Sequence, residues 1–213
     1  ISCSLVGSEM CIRDRLKDKA LETMDTSSRQ NYDDSIKEQV GVVISLLSEI
    51  NNEYKSGKYT LDEAKKIAAD EIRQMRYGEA GYFWVDQSDG KNIVLLGSST
   101  EGTNRMNTKD ADGYQMVKEI IRVAVQDGGG YTDYVFPKEG ETEPSPKRSY
   151  SEYFKPFDWV VGTGNYTDYI DTAIAQQDEE FTSYASSKAI SLILCSVCML
   201  IVVAILVAPV SYT

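Results

Sequence analysis

The sequence predicts an α+β fold: a five-stranded antiparallel sheet with a long N-terminal helix packed on one face, followed by a C-terminal transmembrane helix. Three observations predict it. Apolar residues first recur at helical spacing, the period then switches to alternation over five short segments, and the chain closes on an uncharged run from Ala189 to Ala208. Strands joined mostly by short turns pair antiparallel, because a parallel pair needs a long crossover.

Arg15 to about Tyr54 reads as one helix. Ile36, Val40, Val43, Leu47, Ile50 and Tyr54 form a seam suited to packing on a sheet or on another helix. A Gly-containing turn then leads to a second helix. There Thr60 and Glu63 match a capping box, and Leu61, Ala64, Ala68, Ile72 and Met75 make the apolar stripe. Gly81–Asp86 and Asn92–Gly97 are strands joined by Ser88-Asp89-Gly90. A loop from Ser98 to Lys109 precedes a helix over about 111–126, which Gly128-Gly129-Gly130 ends. Three further strands follow: Tyr131–Phe136, Lys147–Phe154 and Trp159–Tyr166. A last helix from about Thr167 runs into the apolar segment. At about 1.5 Å per residue that segment spans about 30 Å, the hydrocarbon thickness of a bilayer. Only Lys188 flanks it, so charge does not orient it.

Both ends are set apart. Residues 1–14 contain "SLVGSEMCIRD", which resembles translated sequencing-adapter read-through, and residues 209–213, "PVSYT", resemble the start of another such scar. The expected organisation is a leader over 1–14, the long helix over 15–58, an α+β domain over 59–171, a juxtamembrane helix over 172–188, the membrane helix over 189–208 and the tail.

A net charge of −11 argues against nucleic acid, whose binders carry a basic footprint. Histidine is absent, which removes the commonest general base and the commonest transition-metal ligand. Four cysteines, two of them in the apolar run, offer neither a disulfide framework nor a zinc site. No Gly-x-Ser-x-Gly elbow is present. These features point away from an enzyme, and no cofactor or metal is expected. Asp110, Asp112, Gly113 and Glu119 match the later part of a calcium loop, but Thr108 stands at its first ligand position and no helix precedes it. A turn that caps the following helix accounts for these residues. The triple glycine precedes a strand, where a phosphate cradle needs a helix N-terminus.

The collective signal lies in "GYFWVD", "GYTDYVFPK" and "PSPKRSYSEYFKPFDWVVGTGNYTDYID", which put aromatics and a few cations on neighbouring strands. Over roughly Arg76 to Asp171 this set resembles the single-Cache family, the PAS-like extracytoplasmic sensor domains of bacterial methyl-accepting chemotaxis proteins and sensor kinases. The resemblance implies a sensor between two membrane helices, with one sheet face on the long helix and the other closing a pocket for a short organic acid. Aromatic walls exclude water, and the cations and donors inside then bind a carboxylate strongly.

Many members carry His-Pro after the second strand, where this chain has Leu95-Leu96-Gly97 and then Glu101 to Arg105. Asn104 and Arg105 are therefore expected to supply polar recognition, with Arg105 gripping a carboxylate by two prongs. Tyr82 and Trp84 share one face of their strand, Phe83 and Val85 the other, and only one pair can line the pocket. Tyr82 and Trp84 are taken as that pair. Lys147 matches the family pattern as the partner of the ligand's negative group, although a strand lysine is ordinarily a surface residue. Tyr134 and Tyr150 are candidate donors, and equally candidates for the core. The expected partners are a small carboxylate, the membrane and a second copy of the chain in a homodimer. Alternatives are the same sensor on a histidine kinase or a cyclic-dinucleotide enzyme, a membrane-anchored adhesion module with a filled pocket, and, more distantly, an extracellular hydrolase.

Overall fold

The computed structural model describes residues 2–78, 81–138 and 140–207, so the tail at 209–213 lies outside the described residues. The elements run α1 (Ser2–Lys55), α2 (Leu61–Gln74), β1 (Arg76–Tyr77), β2 (Gly81–Gln87), β3 (Asn92–Leu95), α3 (Met116–Asp127), β4 (Gly130–Pro137), β5 (Pro144–Phe154), a short 3-10 turn (Lys155–Phe157), β6 (Trp159–Tyr166) and α4 (Asp168–Val207). By contact the chain divides into two compact units, Ser28–Tyr169 and a helical unit of Ile1–Ser27 with Ile170–Thr213.

The larger unit is built on one antiparallel sheet. Its order is β1-β2-β6-β5-β4, with β3 also paired to β2. Five strands of at least four residues thus make the sheet, and the two-residue β1 extends its edge.

The seam read in the sequence covers one face. Ile36, Val40, Val43, Leu47 and Ile50 of α1 are all buried, each such burial contributing about 1.5–3 kcal/mol. Polar contacts fix the crossing of helix and sheet. Tyr32 Oη lies 2.7 Å from the carbonyls of Arg148 and Asn165, on β5 and β6. Arg148 donates to both carboxylate oxygens of Asp33, at 2.6 and 2.9 Å. α2 begins with the expected capping box, the Thr60 N–H donating to Glu63 at 2.8 Å and the Glu63 N–H to Thr60 Oγ1 at 3.3 Å, and it packs on β2 and β3.

The opposite face is covered by α3. Trp84 and Val160 from the sheet meet Met116, Val117, Ile120, Ile121 and Ala124 from the helix in one apolar cluster. Trp84 pairs with Gly162 across β2 and β6, and the indole lies directly on that glycine. A Cβ there would stand 2.6 Å from Trp84 Cε2.

Several boundaries differ from the sequence reading: α1 begins at Ser2 rather than Arg15 and β3 ends at Leu95 rather than Gly97, and two more differ nearer the site. α3 starts at Met116 rather than near Ala111, because Asp110 folds the intervening residues into a turn. Its Oδ1 accepts from the N–H groups of Asp112 and Tyr114, and its Oδ2 from Val135 of β4. The turn therefore braces β4 instead of capping the helix, whose N-cap residue Gln115 makes no side-chain cap. β5 begins at Pro144 rather than Lys147. β6 pairs with β5 only from Lys147 onward, so Pro144 and Pro146 occupy a stretch with one neighbouring strand, where a missing N–H is tolerated.

In the helical unit, Lys17 and Asp178 pair at 2.7 Å. Ile190, Leu192, Ile193, Leu194, Met199 and Leu200 are exposed. Among the described residues one helix contains a stretch long and apolar enough to cross a membrane, and it is this one.

Candidate functional site

β2 sets the floor of the site. Alternation puts Tyr82, Trp84 and Asp86 on the face toward α3, and Phe83 and Val85 on the other. A buried carboxylate in an apolar strand needs a partner, and the loop after β3 supplies one. That loop folds back on the β2–β3 hairpin through backbone bonds from Asn92 to Thr103, Gly102 to Asn92 and Arg105 to Gly90. Gly90 permits the approach, since a Cβ there would meet Met106 Cβ at 2.7 Å and its φ is +90°. Glu101 pins the loop's start by accepting from the Leu95 and Gly97 N–H groups and from Arg73. Arg105 is thereby delivered to Asp86, with Nε to Oδ1 at 2.8 Å and Nη2 to Oδ2 at 2.7 Å. Asn92 Nδ2 adds a bond to Asp86 at 2.9 Å. Asp86 is wholly buried, and the Arg105 side chain is 14% exposed. Burial works against the Arg105 charge, but the Asp86 pair outweighs it and holds the pKa above its ordinary value.

β5 supplies the second cation. Lys147 pairs with Tyr134 on β4 and Tyr166 on β6, and only 2% of its surface is exposed. Its ammonium donates to Tyr82 Oη at 2.9 Å. It lies 4.7 Å from the ring centre of Tyr82, 5.0 Å from Tyr166, 5.5 Å from Phe136 and 5.8 Å from Trp84. Aromatic faces stabilise a cation only in part. Among the described residues no carboxylate pairs with it. Burial and the nearby Arg105 charge push its pKa down to about 8.

Between these groups lies a narrow cavity of about 30 Å³, lined by Tyr82, Trp84, Leu95, Arg105, Tyr134, Phe136, Lys147 and three α3 residues, Met116, Val117 and Ile120. Trp84 Nε1 is buried and has no hydrogen-bond partner among the described residues. Burial raises the Tyr134 hydroxyl well above the usual phenol range, partly offset by a hydrogen bond with Ser149. The site thus holds one neutralised ion pair, one uncompensated cation, an indole donor and phenols that keep their protons.

Five of the seven residues named from the sequence line this cavity: Tyr82, Trp84, Arg105, Tyr134 and Lys147. Asn104 does not. It is exposed, and its amide bonds the Asp89 carbonyl and the Met106 N–H, so it holds the loop instead of facing the cavity. Tyr150 also falls elsewhere. It lies on the α1 face, its ring against Tyr131 and 5.8 Å from Lys37 Nζ, because its position in β5 has the opposite parity to Lys147. The two-pronged grip expected of Arg105 is already taken by Asp86. Asp86 itself was missed, although its i, i+2, i+4 relation to Tyr82 and Trp84 places it on their face.

Two curated proteins similar to this chain are a chemotaxis protein and a histidine kinase. The chain is 30% identical over 123 residues to the methyl-accepting chemotaxis protein McpP of Pseudomonas putida, covering 57% of this chain and 23% of McpP. It is 34% identical over 123 residues to the sensor histidine kinase MctS of Rhizobium johnstonii, covering 57% of this chain and 26% of MctS. The chain therefore spans about a quarter of the length of these curated relatives. A solved structure described as the "structural basis for carboxylic acid recognition by a Cache chemosensory domain" superposes with a TM-score of 0.63 at 27% identity, covering 66% of this chain and 97% of that one. Residues 28–180 match the model of Single Cache domain 2, and the chain belongs to that family of sensor domains.

Proposed function

We propose that this chain is the extracytoplasmic sensing region of a transmembrane chemoreceptor, binding a short carboxylate in the cavity between the sheet and α3. The observation that carries the reading is Lys147. It is a buried cation with four aromatic neighbours, a cavity beside it and no carboxylate partner among the described residues. A protein that keeps such a charge desolvated is destabilised until an anion joins it. A ligand carboxylate at Lys147, with Trp84 Nε1 as a further donor, supplies that anion. Tyr82, Tyr134 and the remaining edge of Arg105 complete the polar set. A cavity of about 30 Å³ admits a guest of only a few heavy atoms without moving its walls, which favours acids of about two or three carbons.

α4 follows β6 directly and carries the apolar stretch. In this reading the stretch anchors the sensor in the cell membrane, and α1 pairs with its twin in a homodimer. Ligand binding signals by favouring one of two arrangements of sheet and helices. The similarity to MctS supports a second reading, the same sensor on a histidine kinase. The full-length gene decides between these outputs.

Thermal-shift measurements on the whole chain in detergent, with acetate, propionate and pyruvate set against acetamide and propionamide, test the binding claim. Carboxylates are expected to raise the melting temperature and the neutral amides to leave it unchanged. Equal shifts from acids and amides, or none from either, contradict the proposal.

A further inference from the structure

The charge balance around Lys147 has a consequence for how the site is loaded. On β2, Asp86 is committed to Arg105 through two hydrogen bonds, and Tyr82 offers Lys147 a neutral oxygen. On the flanking strands, Tyr134 and Tyr166 present phenols that burial holds above their ordinary pKa. From the loop after β3, Arg105 adds a like charge. From α3 come only the apolar Met116, Val117 and Ile120. Three carboxylates, Asp110, Asp112 and Asp133, line a wider depression of about 370 Å³ that shares Tyr134 and Lys147 with the cavity. Of these, Asp110 is engaged by three backbone N–H groups and Asp133 by Arg148. None forms an ion pair with Lys147. In the empty site the lysine's charge therefore meets a neutral acceptor and aromatic rings but no ion-pairing carboxylate, and an incoming anion supplies that missing partner.

We infer that occupancy of this cavity is proton-linked: the carboxylate binds only with Lys147 in its ammonium form, and the occupied receptor holds there a proton that the empty receptor gives up in mildly alkaline medium. The inference rests on the reading of the cavity as a carboxylate site and adds a sensitivity to pH. Linkage is reciprocal, so the ligand raises the lysine's proton affinity by the factor by which the proton raises the ligand's. With the empty-site pKa at about 8, affinity is nearly constant below neutrality and falls about tenfold between pH 7 and pH 9. A receptor of this kind needs about tenfold more of a short acid at pH 9 than at pH 7 to reach the same occupancy.

Calorimetric titration of the whole chain with propionate at pH 6.5, 7.5, 8.5 and 9.2 tests this. At pH 9.2 it is repeated in two buffers of different ionisation enthalpy. The expected result is an affinity nearly constant from pH 6.5 to 7.5 that falls about fifteenfold between pH 6.5 and pH 9.2, with uptake of about one proton per site at pH 9.2. Lys147→Arg, which keeps its charge throughout this range, is expected to bind with pH-independent affinity. If that variant fails to fold, proton uptake by the unaltered chain still decides. Binding whose affinity and heat are independent of pH and buffer overturns the proton linkage and leaves the carboxylate site standing. Absence of propionate binding at every pH, with acetate and pyruvate equally inert, removes both.

Discussion

Lys147 and Arg148 are consecutive in β5 and work on opposite faces of the sheet. Lys147 reaches Tyr82 beneath α3 at 2.9 Å, while Arg148 grips Asp33 of α1 at 2.6 and 2.9 Å. One peptide unit thus joins the cavity to the long helix. Any ligand that draws on Lys147 acts on a backbone whose next side chain is clamped to α1.

That clamp is separable from binding. Asp33→Asn removes the charge from a partly buried pair and is expected to lower stability by about 1 kcal/mol, read from urea unfolding of the whole chain. Affinity for propionate should stay within about twofold. A loss of binding comparable to that of a Lys147 variant shows instead that the two faces cannot be separated.

The Asp86–Arg105 pair is a supporting element for the site. Asp86→Asn leaves Arg105 buried without its counter-charge, and the expected cost is about 3–5 kcal/mol. The double variant Asp86→Asn with Arg105→Gln should recover part of this loss, which a double-mutant cycle measures as coupling. Additive losses mean that the two side chains do not act as a pair.

Much of this architecture could be read before the coordinates. The α1 seam, the Thr60–Glu63 capping box and the alternation of β2 are local patterns, and each is set by side chains within one or two turns of each other. The same alternation put Tyr82 and Trp84 together. What escaped was set by distant residues. Asp86 meets Arg105 only because the intervening loop folds back on the hairpin. Asp110 spends its carboxylate on β4, which delays α3 to Met116. Tyr150 lies on the α1 face because its parity in β5, set by sheet register, opposes that of Lys147.

Gly162 makes room for the indole that walls the cavity. Gly162→Ala puts a methyl 2.6 Å from two atoms of the Trp84 ring, and a rigid ring cannot give way without shifting. A stability loss of about 1–3 kcal/mol is expected, with weakened propionate binding. Unchanged unfolding and unchanged binding contradict the placement of Trp84.

The ligand-free protein should also become more stable in mild alkali. The Lys147 pKa is lowered to about 8 in the fold, from 10.5 for a freely solvated lysine, so between these values the unfolded chain holds a proton that the native one has released. Stability then rises with pH from about 8 toward the unfolded pKa, by up to about 1.4 kcal/mol per unit. Unfolding of the chain and of Lys147→Met across pH 7.5 to 9.5 checks this. The slope should vanish in the variant, and identical slopes contradict the assignment to Lys147.

The central claim is that a carboxylate takes the place of the counter-charge that Lys147 lacks. Calorimetry of the whole chain at pH 7 with acetate, propionate and pyruvate, beside Lys147→Met, tests it most directly. Saturable binding of at least one acid is expected, weakened at least a hundredfold in the variant. Equal affinity in both proteins would contradict it.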